Sequence, residues 1–131
     1  MKVRETVAFR RPREEVYRAL MHPDRREGDG WSGLRPDGDG YAATLHAHSG
    51  PVAVDFDCRF QVEELEPGSR VRIQGVGVAP RLGFTARAEL VLGESDVRID
   101  ADVAVSGTLA GLGQRELDHQ ARRLLASYVP S

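Results

Sequence analysis

The sequence predicts an α+β fold, a curved antiparallel sheet of about seven strands covered by a long C-terminal helix. Three observations predict it. Successive segments alternate apolar and polar residues, as half-buried strands do. Short turn signals such as "PDGDG", "SGP", "EPGS" and "GES" separate those segments at hairpin spacing. One segment, residues 109–128, carries a helical period and is long enough to cover the dry side of such a sheet. A chain of 131 residues and 14.4 kDa suits one domain spanning residues 1–131.

The elements follow in order. Val3, Val7 and Phe9 alternate with Lys2, Arg4 and Thr6, which predicts a first strand over residues 2–9, with Glu5 as the exception in the apolar phase. "RRPREEVYRAL" then opens a helix. Pro12 lies near its first turn, Glu14 and Glu15 suit the positive end of the helix dipole, and Val16, Tyr17 and Leu20 form its inner stripe. His22-Pro23 ends it, because a residue before proline is pushed out of helical geometry.

Residues 24–40 are polar and glycine-rich and predict a loop, with a short strand around Trp31–Arg35. Strands follow over 41–48, 52–65, 71–79, 84–92 and 97–105. In the clearest of them, Val52, Val54, Phe56, Cys58, Phe60 and Val62 alternate with polar partners. In the last segment Gly113, Leu117, Ala121, Leu124 and Tyr128 share one face, and Arg115, Asp118, Arg122 and Arg123 face away. Gly107, Gly111 and Gly113 mark a strand-to-helix corner.

Composition excludes several classes. A formal net charge of −2 gives no general field for nucleic acid or an anionic membrane. Cys58 is the single cysteine, so neither an internal disulfide nor a cysteine metal cluster is expected. The N-terminus "MKVRETVAF" has no apolar h-region and no run approaches membrane-spanning length, so a cytoplasmic protein is the expectation. "GVGVAP" fails as a phosphate loop, because it lies in a strand and precedes another strand.

Order and local residues together resemble a known family. Strand, helix, six strands and long helix is the order of the helix-grip fold, also called START, Bet v 1-like or SRPBCC. "RPREEVYRALMHPD", "GPVAVDFDCRFQVEELEPGSRVRIQGVG" and "VSGTLAGLGQRELDHQARRLLASYV" resemble the CoxG family, the G subunit of carbon monoxide dehydrogenase, over nearly the whole chain. Two departures stand out. "RREGDGWSGL" is shorter and richer in glycine than the family's pocket lip, and from the end of the given sequence at Ser131 the C-terminal extension that many members carry is not expected. No integral membrane segment is expected, and peripheral association stays open.

The resemblance implies an apolar cavity between sheet and helix. The inward-facing phase supplies its lining: Leu20, Trp31, Leu34, Phe56, Phe60, Ile73, Gly75, Phe84, Ala86, Gly113, Leu117 and Ala121, with Trp31 and Leu34 at the mouth. Small residues such as Gly75, Gly77, Ala86 and Ala88 leave volume unless aromatic rings fill it. By resemblance the ligand is a quinone or isoprenoid-like molecule, and the partner is a molybdenum hydroxylase such as carbon monoxide dehydrogenase. A polyketide cyclase or dehydratase of the same superfamily is the alternative, with Glu5, Tyr17, Tyr41 and Gln120 as its only inward polar groups. A ligand-free protein–protein adaptor is another. No catalytic, cofactor-binding or metal-ligating residue is expected. If "SGP" pairs residue 46 with 55, His46 and Asp55 become neighbours on the wet face, with His48 and Asp57 nearby but no third metal ligand fixed by spacing.

Overall fold

The computed structural model describes residues 1–23, 30–49, 52–107 and 114–130. Seven strands and two helices follow in the order β1 (Lys2–Ala8), α1 (Arg13–Met21), β2 (Trp31–Asp37), β3 (Gly40–Ser49), β4 (Val52–Glu66), β5 (Arg70–Ala79), β6 (Leu82–Leu92), β7 (Asp96–Gly107) and α2 (Gln114–Tyr128). All strands join one antiparallel sheet in the order β1-β7-β6-β5-β4-β3-β2. From β2 to β7 each strand pairs with its sequence neighbour, and the first strand closes back on the last.

One expectation changes. The glycine-rich stretch yields a full edge strand from Trp31 to Asp37 rather than a loop with a short insert. Among the described residues the final helix runs for 15 residues from Gln114, and the expected start near residue 109 lies outside them. Residues 108–113, with Gly111 and Gly113, lie outside the described residues, as do residues 24–29 of the expected pocket lip. Gly107 is explained: its φ is +92°, and a Cβ there would run into the carbonyl oxygen of Arg81. Only glycine leaves β7 in this way.

Both helices lie on the same face of the sheet. Val3, Val16, Leu20, Val71, Leu90 and Val97 are fully buried there, each contributing about 1.5–3 kcal/mol. Arg13 fastens α1 to the β6–β7 turn by donating to the carbonyls of Gly93 (3.1 Å) and Leu92 (3.2 Å). The C-terminal carbonyls of α1, which have no partner within the helix, receive tyrosine hydroxyls: Tyr128 donates to Leu20 O (2.7 Å) and Tyr41 to Met21 O (3.3 Å). Leu20 therefore belongs to the packing between α1 and the sheet.

The outer face is wet and charged. Arg72 bridges Glu63 (3.4 Å) and Glu89 (3.3 Å), and Arg70 bridges Glu66 (3.0 Å) and Glu89 (3.2 Å). At the β1 edge, Arg122 of α2 donates to the Arg4 carbonyl and pairs with Glu5 (3.7 Å) and Asp118 (2.8 Å). A cation on an open strand edge also hinders pairing with a second sheet.

Candidate functional site

The buried core is not one piece. Among the described residues one cluster gathers Val3, Val16, Leu20, Leu90 and Ile99 around α1, with Ala121 and Tyr128 of α2 against it. A second gathers Leu45, Phe56, Cys58, Ala79 and Leu82, with Trp31, Phe84 and Leu124 against it. A packed domain ordinarily has one contiguous core. Here a cavity of about 200 Å³ lies between sheet and α2, walled by residues of both clusters.

Sequence alternation builds the wall. Phe56, Cys58 and Phe60 point inward from β4, Ile73 and Gly75 from β5, Phe84, Ala86 and Ala88 from β6, and Val103 from β7. Ala121, Leu124, Leu125 and Tyr128 close it from α2. The rings form two groups. Phe60 stacks on Tyr41 at 5.5 Å and meets Trp31 at 6.3 Å and Tyr128 at 6.4 Å, while Phe56 meets Phe84 edge-on at 5.1 Å. The indole N–H of Trp31 donates to Ser127 Oγ (3.2 Å), so the polar tip of this side chain is satisfied by α2.

The glycines contribute less space than their size suggests. A Cβ on Gly75 would come within 2.7 Å of Phe60 Cβ, and one on Gly77 would strike the Phe84 ring. Phe60 and the β4 backbone crowd Gly75 and the Phe84 ring covers Gly77, while Ala86 is among the small residues that border the remaining volume. Among the expected lining residues, Trp31, Phe56, Phe60, Ile73, Gly75, Phe84, Ala86 and Ala121 border the cavity. Leu20 does not, because it packs between α1 and the sheet. Leu34 does not either, because β2 bulges between Ser32 and Arg35 and leaves Leu34 half-buried on the edge strand. Gly113 and the side chain of Leu117 lie outside the described residues. Leu45, Val103, Leu124 and Tyr128 complete the wall; Leu124 and Tyr128 were already legible on the apolar face of the helix.

The acid–base candidates are mostly elsewhere. Glu5 is held by Arg122 at the sheet edge. The Tyr17 hydroxyl bonds Glu64, and burial together with that bond pushes its pKa above the ordinary tyrosine value. Tyr41 serves α1. Only Gln120 of this set borders the cavity. Cys58 is buried, and burial with the nearby Asp57 charge pushes its thiol up to about 11, so it is a wall atom rather than a nucleophile. Among the described residues no group of three His, Cys, Asp or Glu side chains is placed to hold a metal.

A seven-stranded antiparallel sheet with helices on one face and an apolar cavity beneath the C-terminal one fits a helix-grip protein of the SRPBCC class. The chain belongs to the CoxG family: the family model for the carbon monoxide dehydrogenase G subunit (CoxG) matches residues 6–130. No curated protein matches the sequence. Solved structures share the fold. A conserved protein from Geobacillus kaustophilus superposes with a TM-score of 0.76 at 19% identity, over 98% of this chain and 90% of that one. TTHA0849 from Thermus thermophilus gives 0.60 at 15% identity, over 98% and 91%. A protein from Rhizobium leguminosarum gives 0.56 at 10% identity, over 98% and 91%.

Proposed function

We propose that the chain is a CoxG-type accessory protein that holds a hydrophobic small molecule between sheet and α2, in association with a molybdenum hydroxylase such as carbon monoxide dehydrogenase. The observation that carries this reading is the cavity that divides the core into two clusters. An apolar void is costly to keep unless something fills it, since each lining atom forgoes contacts. The family supports the partner, and a cytoplasmic location belongs to the same proposal. Among the described residues no helix is long and apolar enough to cross a membrane.

Size narrows the ligand. Pockets for drug-sized molecules run to about 300–1,000 Å³, whereas a dry cavity of about 150 Å³ accepts benzene. About 200 Å³ therefore suits a single substituted ring, such as a quinone head, with any isoprenoid tail left outside. Binding needs no general acid or base, and of the acid–base candidates only the neutral amide of Gln120 borders the cavity. Trp31 is the only tryptophan and borders the cavity, so it reports occupancy. Titrating a short-chain benzoquinone should quench Trp31 fluorescence saturably in the wild type. In Ala121→Leu, whose larger side chain fills the cavity, the quench should stay linear. A linear, unsaturable quench in the wild type would remove the reading.

A further inference from the structure

On the outer face three adjacent strands align Ser32 of β2, His46 of β3 and Asp55 of β4. His46 Nδ1 lies 2.7 Å from Asp55 Oδ1, and His46 Nε2 lies 2.7 Å from Ser32 Oγ. A carboxylate only accepts hydrogen bonds, so in neutral His46 the ring proton sits on Nδ1. Nε2 then carries the lone pair, and the Ser32 hydroxyl donates to it. Hydroxyl, Nε2, Nδ1, carboxylate is the order of contacts that makes a serine a nucleophile in hydrolases.

The backbone holds this order in place. His46 faces Asp55 directly in the β3–β4 register, and its N–H donates to the Gly30 carbonyl at 2.7 Å. Immediately after Ser32 the strand bulges, with Gly33 at φ +64°. Bulges recur beside active sites because they re-aim a side chain. Arg35 donates to the Gly33 carbonyl at 3.0 Å, which fixes its guanidinium at the bulge residue that follows Ser32.

We propose that Ser32 is an acyl-accepting nucleophile, activated by His46 and Asp55, that acts on small carboxylic esters at the outer face. Ser32 Oγ bonds to the ester carbonyl carbon while its proton moves to His46 Nε2. The carbon–oxygen bond to the alcohol breaks, and the alcohol leaves with that proton. Water then adds to the acyl group, gives a proton to Nε2, and releases the acid as Ser32 regains its hydrogen. His46 is 46% and Asp55 67% exposed, so substrates reach the site freely and little besides the acyl group is recognised. Trp31 and Ser32 lie on opposite faces of β2, so this site is separate from the cavity.

The test treats the full chain with an alkyl fluorophosphonate, which transfers phosphorus to an activated serine and releases fluoride, and maps the label by peptide mass spectrometry. The wild type is expected to be labelled at Ser32. His46→Gln is expected to slow labelling about a hundredfold, within the range of general-base catalysis, and Asp55→Asn to slow it as well. Hydrolysis of p-nitrophenyl acetate should fall in parallel in Ser32→Ala. Absence of label at Ser32, or equal labelling rates in wild type and His46→Gln, overturns the proposal.

Discussion

Replacing Ala86 with isoleucine separates an unfilled cavity from a packed core by the sign of its effect. Ala86 sits between Gly75 and Val103 on the inner face and borders the cavity. Isoleucine adds roughly three methylene equivalents, worth about 0.8 kcal/mol each when buried. The position is half-buried, so the expected gain is about 1–2 kcal/mol. Isoleucine also suits a strand. In a filled core the same change costs about 1–3 kcal/mol through overpacking. Urea denaturation of ligand-free protein reads the difference as a shifted midpoint at constant slope. A higher midpoint, with loss of quinone-dependent Trp31 quenching, is expected. A lower midpoint would show that no usable volume lies beside Ala86 and would refute the reasoning.

Other outcomes follow from particular contacts. Gly107→Ala puts a Cβ into the Arg81 carbonyl at a positive φ, and should cost about 1–3 kcal/mol in the same urea assay. Arg81 itself holds a φ of +68°, so Arg81→Gly should gain about 0.5–1 kcal/mol, the αL strain relieved less the glycine's extra chain entropy. Arg13→Ala removes two hydrogen bonds from a charged donor and should cost about 1.5–3 kcal/mol, where Arg10→Ala, on an exposed residue, should be neutral. The hydrogen bond from Arg72, then that from Arg70, hold the Glu89 carboxyl below its ordinary range. A pKa depressed in the folded state gives stability that is present above the unfolded value and lost as pH falls through the folded one. Urea midpoints should therefore drop from about pH 5 downward, with a shallower slope in Glu89→Gln; identical slopes would contradict the assignment.

Strand alternation made the sheet legible from sequence. Phe56, Cys58 and Phe60 are buried, and Asp55, Asp57 and Arg59 are exposed, because one phase of a strand on a one-sided sheet has nowhere else to go. The pairing of His46 with Asp55 was legible too, since the short hairpin fixes the register. Edge strand β2 was harder to read. Glycine and proline in "WSGLRPDGDG" read as loop, yet here the glycine makes a bulge and Pro36 sits on an edge strand, where its missing N–H costs little. Spacing alone therefore does not place Leu34 on the edge strand or Ser32 beside His46. The cavity's shape was only partly legible. Small residues at Gly75 and Gly77 signalled space, but Phe60 Cβ crowds the first and the Phe84 ring covers the second, and packing of that kind follows from the three-dimensional structure rather than from spacing.

Native mass spectrometry of the purified chain, followed by organic extraction, tests the central claim most directly. The account predicts a mass above that of the polypeptide, or uptake of an added ring-sized quinone at one equivalent, and loss of either in Ala86→Ile. Spectra of bare polypeptide in both proteins, with no uptake of the added quinone by the wild type, would contradict it.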